Sequence, residues 1–245
     1  MRTIIVWSRK GGVGKTATAH ALGAALMQRN KKVLFMDCDA QSNLTLSLAA
    51  DEKAANIYDV LAKKMPLEKA IQDAPGGKIC SASELLQNPL KADPYTIKNE
   101  LSTVSKRYDY CVIDCPASLG IVTINCLLAA DDIIIPVEPD LFSIQGIPRV
   151  ILPLEELQTQ YKAKAKISGF LVTRYDTRSK INKMNLESLR TIAEVRHTKV
   201  YKTPIRECIA IKEAKQMQQS IFAYAPKSNA AADYNNFVDE FLLDK

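Results

Sequence analysis

The feature that most constrains this chain is the run TIIVW-SRKGGVGK-TATAHALGAAL at residues 3–26. A β-branched apolar run passes through a glycine-rich turn into a segment with helical apolar spacing. In that order a parallel strand delivers a phosphate-binding loop to a helix N-terminus. Gly11, Gly12 and Gly14 allow backbone conformations and close approaches that a side chain would block. Successive amides can then converge on phosphate oxygens, with Lys15 reaching the β- and γ-phosphates and the Thr16 hydroxyl facing Mg²⁺. Measured against G-x-x-x-x-G-K-[ST], the chain departs in two places. Arg9 stands where the first glycine belongs, and a second lysine, Lys10, lies five residues before Lys15.

The remainder repeats the same alternation. Strands are expected at Thr3–Trp7, Val33–Met36, Tyr110–Asp114, Ile133–Val137 and Ile167–Thr173, with a short one near Lys199–Tyr201. Helices are expected at Ala17–Arg29 and Ile121–Ala130, and one long helix runs to about Tyr161. Leu44–Lys106 reads as irregular and mostly helical, broken by APGGK, and the last third as helical. Tyr110–Asp114 lacks apolar–polar alternation, as a central parallel strand buried on both faces does. These features predict an α/β fold: a mostly parallel, twisted sheet with helices on both faces. No Gly/Pro/Ser-rich linker divides the chain, so residues 1–245 are expected to form one domain.

Composition narrows the function. Hydrophobic residues make up 47% and charged residues 24%, ordinary for a globular chain with a full core. The apolar runs fall far short of the roughly 20 residues of a membrane span. No basic-then-apolar leader precedes the first strand, which suggests a cytoplasmic protein with its six cysteines reduced. Neither Cys111 with Cys115 nor His20 with His197 has convincing metal-ligand spacing. Net charge is +6, but Lys162–Lys215 alone carries 14 Lys/Arg against 5 Asp/Glu. An anionic partner for that stretch follows naturally.

Two acidic motifs complete a phosphoryl-transfer site. Asp114 ends the buried run YCVID, at the sheet edge where parallel strands present ligands, and is placed to hold Mg²⁺ beside Thr16. In FMDCDAQSN, Asp37 and Asp39 are two residues apart on extended chain and point the same way.

K-G-G-x-G-K-[ST] is the deviant Walker A loop, and the chain resembles the ParA/MinD superfamily of ATPases. The resemblance extends along nearly the whole length, through IDCPASLGIVTINCLLAADDIIIPVEPDLFSIQGI, VTRYDTRS and TPIRECIAIKEAKQMQQSIFAYAPKSNAAADY. It implies an ATP- and Mg²⁺-dependent ATPase of the DNA-partition kind. Nucleotide contacts are implied for Lys10, Gly11, Gly12, Val13, Gly14, Lys15, Thr16 and Ala17, with Thr173 and Pro204 near the adenine. Catalytic roles fall to Lys10, Lys15 and Asp39, and metal contacts to Thr16, Asp37, Asp39 and Asp114. Lys10 is expected to cross a two-fold interface to the phosphates of a second copy, so that ATP makes a homodimer. Non-specific DNA contacts are implied for Arg178, Lys180, Lys183, Arg206, Lys212 and Lys215, and a ParB-like centromere-binding partner would stimulate hydrolysis at the nucleoid. The loop begins too early for a preceding helix-turn-helix domain. Ala40 and Ser42 replace the family's usual proline and glycine, and Ala117 replaces a second proline. Two relatives of different habit stand as alternatives: a MinD-like membrane-associated ATPase, against which the short acidic tail NNFVDEFLLDK speaks, and an ATPase positioning a protein cluster.

Overall fold

The computed structural model describes residues 1–243; Asp244 and Lys245, the end of the tail considered above, lie outside them. Seven strands form one sheet: β1 Arg2–Val6, β2 Val33–Asp37, β3 Ile71–Ala74, β4 Gly77–Cys80, β5 Tyr110–Asp114, β6 Asp132–Val137 and β7 Lys166–Val172. Their order across the sheet is β3-β4-β2-β5-β1-β6-β7. Every pairing is parallel except β3 with β4. That hairpin is the one strand pair missing from the sequence-based expectation. Its turn is the Pro75-Gly76 break within APGGK, where glycine-rich chain closes a two-residue connection.

Helices α1 Lys15–Gln28 and α2 Asn43–Ser47 follow the first two strands, and α3 Ile57–Leu61, α4 Leu67–Ala70 and α5 Thr96–Val104 surround the hairpin. After β5 come α6 Ile121–Ala129, α7 Leu141–Gln145 and α8 Pro148–Tyr161, and after β7 come α9 Lys180–Val195, α10 Ile209–Gln216, α11 Ile221–Tyr224 and α12 Asn229–Leu243. The single long helix expected up to Tyr161 is divided into α7 and α8. Pro148 at the first position of α8 favours a helix start there. Near Lys199–Tyr201 there is only an isolated bridge, Phe170 with Val200.

The central strands alternate between two cores. Ile4, Val6, Phe35 and Val112 join one with α1, α11 and α12, while Ile5, Trp7, Met36 and Ile113 join the other with α5, α6, α8 and α9. Burial on both faces explains the unbroken apolar runs. Parallel register brings the carboxyl ends of β1, β2 and β5 level, pairing Val6 with Asp114 and Asp37 with Asp114. The site lies at that edge. Among the described residues, no helix is long and apolar enough to cross a membrane.

Candidate nucleotide site

The loop from Ser8 to Gly14 joins β1 to α1. Gly12 and Gly14 have φ of 77° and 89°, the left-handed region that an L side chain enters only with strain. The Gly14 turn is clamped from above: Thr173, at the end of β7, packs on Gly14 and its hydroxyl donates to the Val13 carbonyl at 2.9 Å. Thr173 therefore has its hydroxyl committed to loop closure. Of the two residues assigned to the adenine, Thr173 lines the cavity described below, whereas Pro204 does not and its neighbour Ile205 does.

The two lysines of the loop take different directions. Lys15 is buried and donates to the Lys10 carbonyl at 3.2 Å, folded over its own loop. Lys10 turns outward, its Nζ resting on Glu138 Oε2 at 2.6 Å, Asp140 Oδ2 at 2.8 Å and Ser143 Oγ at 2.9 Å. This seat is rigid, because Asp140 caps α7 by accepting from the Ser143 amide and hydroxyl at 2.9 and 2.6 Å. Arg174 holds the other oxygen of Glu138 at 2.7 Å. Burial raises the Asp140 carboxyl, but hydrogen bonds from Lys10 and Ser143 outweigh it and pull it down to about 2.

Three carboxylates converge beneath the loop. Thr16 Oγ1 donates to Asp114 Oδ2 at 2.6 Å, while Asp114 Oδ1 is buried with no partner. Burial, reinforced by Asp37 and Asp39, raises the Asp114 carboxyl well above the ordinary range. That orphaned, destabilised oxygen beside a hydroxyl is what a divalent cation would satisfy. Among the described residues no cluster of His, Cys, Asp and Glu holds a metal by itself. A hydroxyl and one orphaned carboxylate oxygen fit Mg²⁺, which takes most of its ligands from phosphate oxygens and water.

Asp37 has a different environment. Its Oδ2 accepts from the amide and hydroxyl of Thr45, both at 2.8 Å, and its Oδ1 from the Asp39 amide at 3.1 Å. Burial raises it to about 6 despite these bonds. The side chain ties β2 to α2 and shapes the loop that carries Asp39. Asp39 itself is half-buried at the cavity wall and, among the described residues, its carboxylate accepts only from the Gln41 amide, at 3.0 Å. Ser42, where the family usually has glycine, sits at φ 51°. In that left-handed conformation serine bears a cost on the order of 1 kcal/mol that glycine would not.

One cavity of about 670 Å³ runs from Gly11–Ala17 past Asp39 and Ala117 to walls made by residues 205–215, Ile221 and Tyr234. It is large enough for a nucleoside triphosphate to occupy with its base enclosed. The basic residues divide around it. Arg178, Lys180 and Lys183 stand exposed at the start of α9, Arg178 beside Asp176 at 3.2 Å. Arg206, Lys212 and Lys215 line the cavity mouth. Arg206 forms a two-pronged pair with buried Asp233, at 2.6 and 2.8 Å, and Lys215 reaches Asn43 at 2.8 Å. A Tyr175–Arg206 bridge joins the two basic segments at one end of the sheet. Sequence reasoning had no signal for Asp233, which lies 27 residues from the arginine it holds. All six cysteines are free thiols, five of them buried.

A phosphate loop at the carboxyl edge of a parallel sheet, with a hydroxyl and converging carboxylates below it, defines a P-loop nucleotide hydrolase. A family model described as an AAA domain matches residues 1–167. A ParA family protein of Chlamydia muridarum is 34% identical over 258 residues, covering 99% of this chain and 98% of its own. The sporulation initiation inhibitor protein Soj of Bacillus subtilis is 30% identical over 249 residues, 98% of this chain and 97% of its own. Among solved structures, the septum site-determining protein MinD of Pyrococcus horikoshii, complexed with Mg-ADP, superposes with a TM-score of 0.80. It is 27% identical, over 100% of this chain and 96% of that one. This chain belongs to the ParA/MinD-type P-loop ATPases.

Proposed function

We propose that residues 1–245 act as one ATP-driven DNA-partition ATPase. ATP joins two copies face to face, the pair binds nucleoid DNA without sequence preference, and hydrolysis stimulated by a ParB-like, centromere-binding partner releases it. The observation that carries this reading is the direction of Lys10. Its amine leaves its own phosphate loop for the outer face, 2.6 Å from Glu138, while Lys15 stays over the loop. An amine on that face can reach a second copy's nucleotide by exchanging one set of carboxylates for phosphate oxygens. Both are charge-assisted contacts of comparable strength, so the exchange is inexpensive.

Within each copy, the amides of Gly11–Thr16 and the Lys15 amine bind the phosphates. Thr16 and Asp114 hold Mg²⁺, which when bound neutralises charge on the transferring phosphoryl group. Asp39 orients the attacking water. Its carboxylate needs little basicity, because phosphoryl transfer depends on position and charge stabilisation. Arg178, Lys180, Lys183, Arg206, Lys212 and Lys215 supply the DNA-facing charge, doubled when two copies join. Neutralising even six phosphates gives a slope of log K on log salt of about −5. The likeness to a chromosome-partitioning ATPase Soj of Treponema pallidum, 29% identical over 250 residues, supports the partition role.

Light scattering with saturating ATP–Mg²⁺ tests the first half: a dimer for the wild type and for Asp39→Ala, a monomer for Lys10→Ala. A monomeric wild type would sink the reading. Co-sedimentation with unrelated DNA fragments over a salt series tests the second. The likeness to MinD makes anionic liposomes the informative control, since ATP-dependent binding to them and not to DNA would favour the membrane-associated alternative.

A further inference from the structure

The cavity extends along α1 well beyond the phosphate loop, and His20 stands on that wall with Ala17 and Ala21. At 1.5 Å per residue, His20 lies about 6 Å past Thr16 along the helix. A nucleotide whose phosphates sit at the helix N-terminus extends its nucleoside over such a distance. His20 is only 8% exposed, and its ring forms no hydrogen bond or ion pair among the described residues. Its one ring neighbour is Phe35, edge-to-face at 6.3 Å and 84°. Phe35 cannot retreat: α1 closes on it at Gly23, where an added Cβ would come within 2.1 Å of the ring. The imidazole is therefore wedged between a fixed aromatic ring and the cavity, with its nitrogens unclaimed.

Burial lowers the His20 pKa to about 4. At neutral pH the ring then has one N–H donor and one lone pair. Adenine's edge presents an N7 acceptor beside an N6 donor, so either ring nitrogen finds a match. Neither ring nitrogen is a sealed, unpaired atom, so each keeps an opening through which a ligand edge can reach it. Thr173 cannot take this role through its hydroxyl, which is bound to Val13.

We propose that His20 is a positioning residue for the purine base, hydrogen-bonding it from the α1 wall. The inference rests on the cavity being the ATP site. Only His20 and His197 occur in the chain, so ring nitrogens are assignable by long-range ¹H–¹⁵N NMR with a His197→Gln control. Titration with ADP–Mg²⁺ and with pyrophosphate–Mg²⁺ should shift the Gly12 and Gly14 amides in both cases, and the His20 ring with ADP alone. An unmoved His20 under ADP that does shift the glycine amides overturns the proposal but leaves the ATP site standing. Equal movement with pyrophosphate also overturns it. Glycine amides that respond to neither ligand overturn both.

Two variants separate contact from packing. His20→Leu fills the space against Phe35 without a hydrogen bond and should raise the KM for ATP about fivefold to tenfold. Its kcat and its affinity for pyrophosphate should be unchanged. His20→Asn packs less well but can donate and accept, and should recover most of the loss. Leucine matching wild type in KM, or asparagine proving worse than leucine, overturns the proposal.

Discussion

The two sides of the phosphate loop hold charge in opposite ways. On one side Asp37 and Asp114 are buried, raised by burial, and in the case of Asp114 left with an orphaned oxygen. On the other, Lys10 pairs with Glu138 and Asp140 at a surface where its side chain is 42% exposed, and Asp140 is held low. The carboxylate side is unfavourable as it stands, because burial opposes the charged form of Asp114. The lysine side is satisfied without a ligand, and with the Lys10 side chain 42% exposed its pairs are screened by solvent, so each contributes only about 1 kcal/mol. A contact that weak is easily exchanged. One region leaves a buried polar atom without a partner, and the other pairs its lysine at the surface.

The most severe way to break this contrast is Asp114→Asn. Turnover with Mg²⁺–ATP should fall about 100-fold, while the nucleotide-free chain should melt about 2–4 °C higher, the equivalent of roughly 1 kcal/mol. Melting curves with and without Mg²⁺–ATP check both signs. An unchanged or lower melting point in the free chain would mean that the buried carboxylate is not stressed.

Lys10→Ala should also abolish ATP-induced dimerisation and suppress turnover, but here the free chain's stability should change by less than about 1 kcal/mol. Denaturant unfolding measures it. A loss of several kcal/mol would make the seat a structural pillar and remove the contrast.

The pH dependence sharpens the comparison further. Asp37 has a native pKa of about 6, above its unfolded value near 4, so its contribution is complete below pH 4 and declines as pH rises to 6. Asp140, at about 2, contributes fully above pH 4 and loses it as pH falls toward 2. His20, native pKa about 4 and unfolded near 6.5, adds stability as pH rises between those values. Asp37→Asn should therefore tilt the free chain's stability upward between pH 4 and 6, and His20→Leu should tilt it downward. Urea midpoints at several pH values report the slopes.

The smallest expected effect lies on the basic face. Arg178, with its side chain 90% exposed, should reduce the salt slope of DNA binding by about one per copy when changed to alanine. Arg206→Gln should act differently, lowering thermal stability as well, because it strands buried Asp233. Equal behaviour of the two variants would erase the distinction between an exposed arginine and one braced by a buried carboxylate.

Much of the fold was legible because its signals are local. The β1–loop–α1 unit, the β5 strand ending in Asp114 and the buried central strands are written in runs of five to ten residues whose periodicity matches the element formed. The β3–β4 hairpin was not, since four-residue strands at a sheet edge carry too few apolar positions to stand out. The α7–α8 break was missed because Gly146 and Pro148 are compatible with a kink as well as an end.

By itself the sequence determined the glycine-rich loop, the helix that follows it and the strand ends that carry Asp37 and Asp114, because these are fixed by short-range order. Tertiary structure decided which polar groups are committed and which are free. Lys10 meets Glu138 across 128 residues, Thr173 closes on Val13 across 160, and Arg206 is braced by Asp233 across 27. A hydrogen bond has a reach of about 3 Å, and only the folded chain brings such partners within it.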